Sequence, residues 1–285
     1  LLMLKWAEDA TSEYINKEVV KGYTTGFLGT DEVLGETLIL PESLVVIGAN
    51  PGKGKTQLMI KMSTEIAMQY RNRFVDVYSL EMPSQQIIAR MIGFATKNTR
   101  PKYYTDETWA LVCHRIEQLK DTQLYICDKP VMSIERIKSN TRAKIAQGMR
   151  PAAIFVDYLT LLQMPKAERR DLSVGEVTKQ CKQMAKEFGC IVVLLCQLSR
   201  ANMQRINKRP IMSDLKDSGQ IEADCDLVLF PYYDFLFNPD SDCGNFAEII
   251  IGKNRHGGSE TSYAKVINGV WLDCDQQEAR IKLSA

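Results

Sequence analysis

The sequence has few histidines, no long apolar run and almost no net charge. Two histidines among 285 residues exclude a histidine-rich metal site. No apolar stretch approaches the ~18 residues that a membrane span requires, so we expect no membrane association. The opening LLMLKW is too short for a signal peptide. Lys and Arg number 36 against 35 Asp and Glu, so any binding to a polyanion must depend on locally clustered cations.

The cysteines also exclude more than they indicate. The eight thiols form no Cys-x-x-Cys pair, and most of them lie in apolar segments. This pattern is typical of buried thiols in a reducing compartment and not of disulfides or zinc sites, so we expect a cytoplasmic protein. The chain begins at Leu1 instead of a methionine, which suggests a fragment of a longer protein.

From Pro41 onward, apolar strand-like runs alternate with amphipathic helical patterns. Five such runs (SLVVIGA, FVDVYSL, LYICD, AAIFVD and CIVVLLCQL) precede a region of shorter strands that turns separate. Repeated βα units predict an α/β fold: a mainly parallel sheet flanked by helices, with antiparallel C-terminal edge strands. Residues 1–20 are predicted to form a separate linker helix and 21–285 one domain, with residues 21–35 as a loop. Ser84 and Ser133 are predicted helix N-caps.

The segment GANPGKGKT, residues 48–56, has the composition of a phosphate-binding loop. It follows an apolar strand and opens an amphipathic helix, which is the arrangement that presents backbone N–H groups to an anion. Lys55 supplies a charge for the β- and γ-phosphates, and the Thr56 hydroxyl can ligate Mg²⁺. Ala49 stands where this motif has glycine, and its methyl group is acceptable if φ stays negative. The predicted nucleotide-binding residues are Ala49, Asn50, Pro51, Gly52, Lys53, Gly54, Lys55, Thr56 and Gln57.

Three polar residues follow other apolar strands of the predicted sheet. Asp157 ends AAIFVD, where a second Mg²⁺ ligand lies in phosphate-loop proteins. Glu81 ends a strand, where a carboxylate can act as the base for an attacking water. Gln197 follows a third strand and can sense the γ-phosphate. Taken alone, Glu81 fits a solvated surface carboxylate equally well, and Gln197 fits a polar cap at a strand end.

Together, six segments in the same order resemble the C-terminal ATPase domain of the DnaB-type replicative helicases. The phosphate loop is similar to that family's alanine-initiated form, and SLEMP, VDYLTLL and QLSR resemble its catalytic-glutamate, Walker-B and glutamine-sensor segments. KRPIMSDLKDSGQIEADCDLVLF is similar to its central-channel loop, and IIIGKNRHG to the strand that carries its trans-acting cations. The similarity covers roughly residues 20–275.

The resemblance implies a RecA-like phosphate-loop NTPase core that binds ATP or another NTP with Mg²⁺. It also implies a homo-hexamer that moves 5′→3′ on single-stranded DNA, in a bacterial or phage-infected cell. Lys55, Glu81 and Gln197 would be catalytic. The loop from Ala49 to Gln57 would bind the nucleotide, and Thr56 and Asp157 would hold the metal. Two further catalytic residues, Lys253 and Arg255, would reach the nucleotide of the next subunit. Primase or a helicase loader would dock through a family N-terminal domain that we expect to be missing from this chain.

DNA contact is expected from the segment around DLKDSG, because a lysine and backbone N–H groups can bind phosphate without reading sequence. A neighbouring basic stretch, SRANMQRINKR, adds cations that fit a solvated loop equally well. The predicted DNA-binding residues are Lys216, Asp217, Ser218, Gly219, Arg200 and Arg205.

Three other functions compete with a helicase. A recombinase or DNA-repair ATPase shares the RecA-like core but lacks the combination of SLEMP and DLKDSG. A small-molecule phosphate-loop kinase needs an acceptor pocket and usually an arginine-rich lid, which the sequence does not show. A non-catalytic accessory protein would not need Lys55, Thr56, Glu81, Asp157 and Arg255 together.

Overall fold

The computed structural model describes residues 22–129, 131–157, 170–215 and 218–284. The predicted linker helix, Lys216 and Asp217 lie outside these ranges. The strands are β1 Leu44–Ala49, β2 Arg73–Ser79, β3 Gln123–Cys127, β4 Arg150–Asp157, β5 Ile191–Gln197, β6 Leu227–Tyr232, β7 Phe246–Asn254, β8 Ser262–Ile267 and β9 Val270–Leu272. The helices are α1 Leu28–Leu34, α2 Lys55–Gln69, α3 Ser84–Thr96, α4 Asp106–Lys120, α5 Ile134–Ala146, α6 Arg170–Phe188, α7 Ser218–Asp224 and α8 Gln276–Ser284.

All nine strands belong to one sheet in the order β3-β2-β4-β5-β1-β6-β7-β8-β9. The pairs from β3 to β6 are parallel, and β7, β8 and β9 follow as antiparallel neighbours. This arrangement confirms the predicted α/β fold. We call the side where the parallel strands end the carboxyl edge and the side where they begin the amino edge.

The sheet has an apolar core on each face because side chains alternate along its strands. In β1, Val45 and Ile47 join the core that includes Leu58 and Met62 of α2. Leu44 and Val46 point the other way, into the core that α6 completes. Both faces are therefore covered by helices, as a largely parallel sheet requires.

The local predictions of helix N-caps and of the N-terminal loop were confirmed only in part. Ser133 caps α5 by accepting a hydrogen bond from Arg136 N. The predicted cap at Ser84 is wrong: α3 begins at Ser84, its N-cap is Pro83, and the Ser84 N–H donates to Asp128 Oδ2 at 2.9 Å. The predicted loop at residues 21–35 is also wrong in part, since α1 forms there. Leu34 and Thr30 of α1 are buried by packing that no local pattern reveals.

No described helix is long and apolar enough to cross a membrane.

Candidate functional site

The phosphate loop lies at the carboxyl edge, between β1 and α2. β1 ends at Ala49, one residue later than predicted, and α2 begins at Lys55, as predicted. Gly52 (φ +73°) and Gly54 (φ +96°) hold left-handed conformations, so glycine is needed at both turns. Ala49 is not among the described residues with positive φ, which meets the condition under which its methyl group is acceptable.

Trp271 of β9 forms a wall behind this loop. A Cβ atom on Gly54 would lie 2.7 Å from Trp271 Cζ2, closer than Cβ atoms approach other heavy atoms in proteins. The indole is 2% exposed. Gly54 is therefore required by its backbone conformation and also by a neighbour from the far end of the sheet.

Lys55, Thr56 and Asp157 come together at the start of α2. Lys55 Nζ lies 3.5 Å from Asp157 Oδ1, and the Thr56 hydroxyl donates to Asp157 Oδ2 at 3.2 Å. Asp157 is fully buried, and its Oδ1 accepts no hydrogen bond from the described residues. The lysine is close enough for charge attraction but is not aligned for a hydrogen bond to that atom.

This trio suits a hard divalent cation. Mg²⁺ prefers oxygen ligands and is usually held by one or two protein groups together with substrate phosphates and waters. The Thr56 hydroxyl and the orphaned Asp157 oxygen are such donors. Among the described residues, no cluster of three or more His, Cys, Asp or Glu side chains could hold a metal alone. The residues therefore fit a metal that arrives with a nucleotide.

The loop opens into a cleft of about 760 Å³, which Glu81 and Gln197 also line. Glu81 is exposed beyond the end of β2, and Gln197 is the last residue of β5, paired in register with Ala49. Asn50 donates to the buried Asn202 Oδ1 at 3.0 Å, which ties the loop to the segment after β5. The structure thus brings the predicted catalytic residues Lys55, Glu81 and Gln197 to one cleft.

Arg90 is a site residue that sequence reasoning missed. It lies on α3 and lines the cleft one helical turn after Gln86, which lines it too. Burial lowers the pKa of the Arg90 guanidinium, and the charges of Asp157 and Glu81 oppose that shift. A cation of the same chain therefore lies within electrostatic range of both carboxylates. The sequence signal for Arg90 was its four-residue spacing from Gln86 on the helix that follows SLEMP, because residues four apart lie on the same helical face.

The other end of the cleft is aromatic, and this too was not predicted. Tyr233 and Phe235 stack with ring centroids 5.8 Å apart, and Phe235 is 46% exposed. Lys53 donates to the Leu236 carbonyl and lies 4.2 Å from the Phe237 ring centroid, so the loop holds this aromatic turn. Burial lowers the pKa of Lys53, and the positive charge of Lys208 lowers it further. A flat apolar wall beside a phosphate loop suits a nucleobase.

Lys253 and Arg255 lie at the opposite edge of the sheet. Lys253 pairs with Val228 near the start of β6, and Arg255 comes one residue after β7 ends. Only Lys253 is therefore in a strand, although both were predicted there. Lys253 Nζ donates to the carbonyls of Glu222 and Cys225 at 2.5 and 2.7 Å.

Arg255 reaches the same region as Lys253. Its guanidinium donates to Asp226 Oδ1 at 2.8 Å and to the Ala223 carbonyl at 3.4 Å. β1 separates this amino edge from the phosphate loop. Its six residues span roughly 16 Å at ~3.3 Å per residue, so neither cation is beside the nucleotide site of its own chain.

The predicted DNA-binding residues are only partly described. Ser218 and Gly219 are the first residues of α7, and Arg200 begins a 3-10 turn that extends to Gln204. Arg205 makes a bidentate ion pair with the buried Asp214, at 2.6 and 2.7 Å. In this structure Arg205 thus joins the basic stretch to the segment before Lys216.

A family model of DnaB-like helicase C-terminal domains matches residues 22–268. Among curated proteins, the chain is 36% identical over 263 residues to the replicative DNA helicase DnaB of Buchnera aphidicola subsp. Acyrthosiphon pisum. That alignment covers 90% of this chain and 56% of the relative. The DnaB of Haemophilus influenzae is 35% identical over 87% of this chain and 54% of its own length. The chain spans about half the length of the curated relatives it matches.

Two solved structures share the fold. One, described as an ATPase domain, superposes with a TM-score of 0.83 at 29% identity, covering 95% of this chain and 99% of that one. A DnaB-like replicative helicase, described with its interactions with primase, gives 0.81 at 29% identity, covering 95% of this chain and 66% of that one. With the family match across most of the chain, the fold and the phosphate-loop site lead to one conclusion: the chain belongs to the family of DnaB-like helicase C-terminal domains.

Proposed function

We propose that this chain is the motor domain of a replicative DNA helicase. It hydrolyses ATP or another NTP with Mg²⁺ at the interface between two copies and uses the cycle to move 5′→3′ along single-stranded DNA. The observation that carries the proposal is the location of Lys253 and Arg255. Both cations lie at the amino edge, whereas the nucleotide cleft opens at the carboxyl edge of the same chain.

In this mechanism, one copy supplies most of the site. Backbone N–H groups of the phosphate loop and Lys55 bind the β- and γ-phosphates, and Thr56 and Asp157 would hold the metal. The metal, when bound, neutralises developing charge on the phosphate oxygens. Glu81 accepts a proton from the attacking water, and Arg90 faces the γ-phosphate from α3. Phe235 packs against the base.

The neighbouring copy completes the site. Charge that builds up on the γ-phosphoryl oxygens in the transition state is stabilised by Lys253 and Arg255 of that copy. Cations supplied in this way increase rates by about 10³–10⁵. Hydrolysis then requires assembly, and a ring of six copies gives every cleft a partner.

A short backbone connection leads from the cleft to the DNA segment. Leu198, next to Gln197, forms an antiparallel bridge with Leu215, and Ser199 N donates to Asp214 O at 2.7 Å. A change at Gln197 when the γ-phosphate leaves is therefore transmitted to the residue before Lys216. Lys216, Asp217, Ser218, Gly219, Arg200 and Arg205 would form the DNA-contacting region. Phosphate contacts suit a motor that must move along any sequence.

We also propose partners and location from the relatives. Primase or a loader would contact the motor through a region outside this chain, since one similar solved helicase is described with its interactions with primase. Replicative helicases of bacteria act in the cytoplasm, where we place this protein.

The test is complementation between two inactive variants. The Lys55→Ala variant keeps Lys253 and Arg255 but loses its nucleotide site. The Arg255→Ala variant keeps its nucleotide site but loses one of these cations. Each alone should hydrolyse ATP at a background rate. When the two variants are mixed in the presence of an oligonucleotide, hydrolysis should recover. Some interfaces then pair the intact nucleotide site of Arg255→Ala with the intact Arg255 of Lys55→Ala.

The control is Arg255→Ala mixed with the variant that carries both Lys55→Ala and Arg255→Ala. This mixture contains no Arg255 and should stay inactive. Native mass spectrometry should show mixed oligomers in both mixtures. Mixed oligomers without recovered hydrolysis would contradict the trans assignment. Unwinding of a duplex with a 3′ tail, but not one with a 5′ tail, would contradict the proposed polarity.

A further inference from the structure

The carboxylate of Asp226 connects three elements at the amino edge. This residue lies directly before β6 and is 3% exposed. Its Oδ2 accepts hydrogen bonds from Leu44 N at 2.8 Å and Lys182 Nζ at 2.7 Å. Its Oδ1 accepts one from Arg255 Nη1 at 2.8 Å. One buried side chain thus joins the start of β1, α6 and Arg255.

The main chain reinforces this connection. Asp226 N donates to the Leu44 carbonyl and Arg255 N donates to the Asp226 carbonyl, both at 2.9 Å. Asp226 is therefore fixed to the central strand of the sheet, and Arg255 is fixed to Asp226 by backbone and side chain together. The position of the guanidinium is set relative to the rigid part of the fold.

The contact with Arg255 is not needed to neutralise the buried carboxylate. Lys182, whose side chain is 19% exposed, already supplies a cation and a hydrogen bond to it. A buried charge requires a partner, and Asp226 has one without Arg255. The second ion pair therefore calls for another explanation.

Arg255 keeps most of its binding capacity while it is held. Its two contacts with Asp226 and Ala223 use two of the five donors that a guanidinium carries. Its side chain is 47% exposed. A long side chain that is fixed in advance loses less rotamer freedom when it binds a phosphate.

We propose that Asp226 is the positioning residue for Arg255. Its buried carboxylate holds one side of the guanidinium so that the exposed donors face the triphosphate of the neighbouring copy. The carbonyls of Glu222 and Cys225 hold Lys253 beside it in the same way. This inference rests on the proposed function, because it requires Arg255 to act in trans.

The experiment is Asp226→Asn, which keeps the shape of the side chain and removes its charge. Asp76→Asn is the matched control: Asp76 is also 3% exposed, is bound by Lys144, and lies in β2. We expect kcat to fall by about tenfold or more for Asp226→Asn, since a displacement of ~1 Å in a reacting group can cost about 10² in rate. KM and the binding of a non-hydrolysable analogue should stay at wild-type values. Asp76→Asn should lower the melting temperature without lowering kcat.

Mixing separates a positioning role from a structural one. Asp226→Asn should regain activity with Lys55→Ala, which contributes an intact Arg255, and should not regain it with Arg255→Ala. The opposite pattern, or a kcat within twofold of wild type, would overturn the proposal. If Asp226→Asn does not fold, Asp226→Glu replaces it: the charge is kept but the carboxylate is displaced, and kcat should again fall with KM unchanged.

The failure of this inference is distinguishable from failure of the proposed function. Arg255→Ala mixed with Lys55→Ala tests the trans arrangement without involving Asp226. If that pair recovers activity and Asp226→Asn with Lys55→Ala does not, Asp226 is not a positioning residue and the motor proposal stands. If neither pair recovers, the trans arrangement itself is wrong.

Discussion

At the carboxyl edge of the sheet, the lysine of the phosphate loop is buried, whereas at the amino edge Arg255 is exposed. Lys55 and Asp157 are buried and contact each other, and Arg90 lines the same cleft. Arg255, in contrast, is exposed and tied to the protein from one side only. In the proposed mechanism, the carboxyl edge binds the nucleotide and the amino edge presents its cations to the nucleotide of another copy.

In the proposed mechanism, this difference makes one copy of the chain carry two incomplete halves of a site. The cleft has the phosphate loop and the residues proposed as metal ligands and base, but Lys253 and Arg255 are across the sheet from it. The proposal needs both halves at one nucleotide, so the carboxyl edge of one copy would meet the amino edge of the next. Three substitutions test this comparison, in order of expected effect.

The largest effect is expected at the amino edge. Arg255→Ala should lower the rate of NTP hydrolysis by about 10³–10⁵, because the transition-state charge loses a cation. Nucleotide affinity should be unchanged, since the residue is remote from its own phosphate loop. Phosphate release and titration with a fluorescent ATP analogue measure the two quantities. Arg142→Ala, at an exposed arginine of α5, is the control. Hydrolysis at the wild-type rate by Arg255→Ala would contradict the role proposed for the amino edge.

A smaller loss is expected at the carboxyl edge. Glu81→Gln should lower hydrolysis by about 10²–10⁴, the usual contribution of a general base, while binding is kept. Because Glu81 acts within its own cleft, the variant should regain activity when mixed with Arg255→Ala but not with Lys55→Ala. Glu135→Gln, on the exposed first turn of α5, should behave as wild type. If the mixture of Glu81→Gln and Lys55→Ala recovered hydrolysis, Glu81 would not act in the nucleotide cleft of its own chain.

The smallest effect is expected in the predicted DNA-contacting segment, which belongs to neither half of the nucleotide site. Lys216→Ala should weaken binding to single-stranded DNA and reduce the slope of log K against log salt by about one, because one phosphate contact is lost. Fluorescence anisotropy at several salt concentrations measures this slope. Lys179→Ala, at an exposed lysine of α6, should leave it unchanged. An unaltered slope for Lys216→Ala would exclude this residue from the DNA contacts.

Much of the carboxyl edge was predictable because its chemistry is local in sequence. The phosphate loop is contiguous, and Glu81, Asp157 and Gln197 each follow an apolar strand whose pattern is clear. Parallel strands end at the same edge, so the pattern alone places these residues together. The alternation of strands and helices predicted the fold for the same reason.

What was missed depends on contacts between distant parts of the chain. Arg90 was not identified because its four-residue spacing from Gln86 places both on one helical face but does not show that this face lines the cleft. Two aromatic residues that line the cleft, Phe235 and Trp271, come from irregular and edge segments with no recognisable motif. In the sequence, Arg205 resembles part of a solvated basic loop, yet its bidentate pair with Asp214 forms across a turn. The residues of α1 have the composition of a loop, because the burial that stabilises this helix comes from the rest of the domain.

The indole that backs the phosphate loop has a practical consequence for anyone trimming this protein. The family match ends at residue 268, before β9 begins. A shortened version that stops there would retain every residue of the nucleotide motif and yet lack Trp271, the side chain packed against Gly54. Such a version would open a void behind its own loop, so the minimal functional unit must extend through β9.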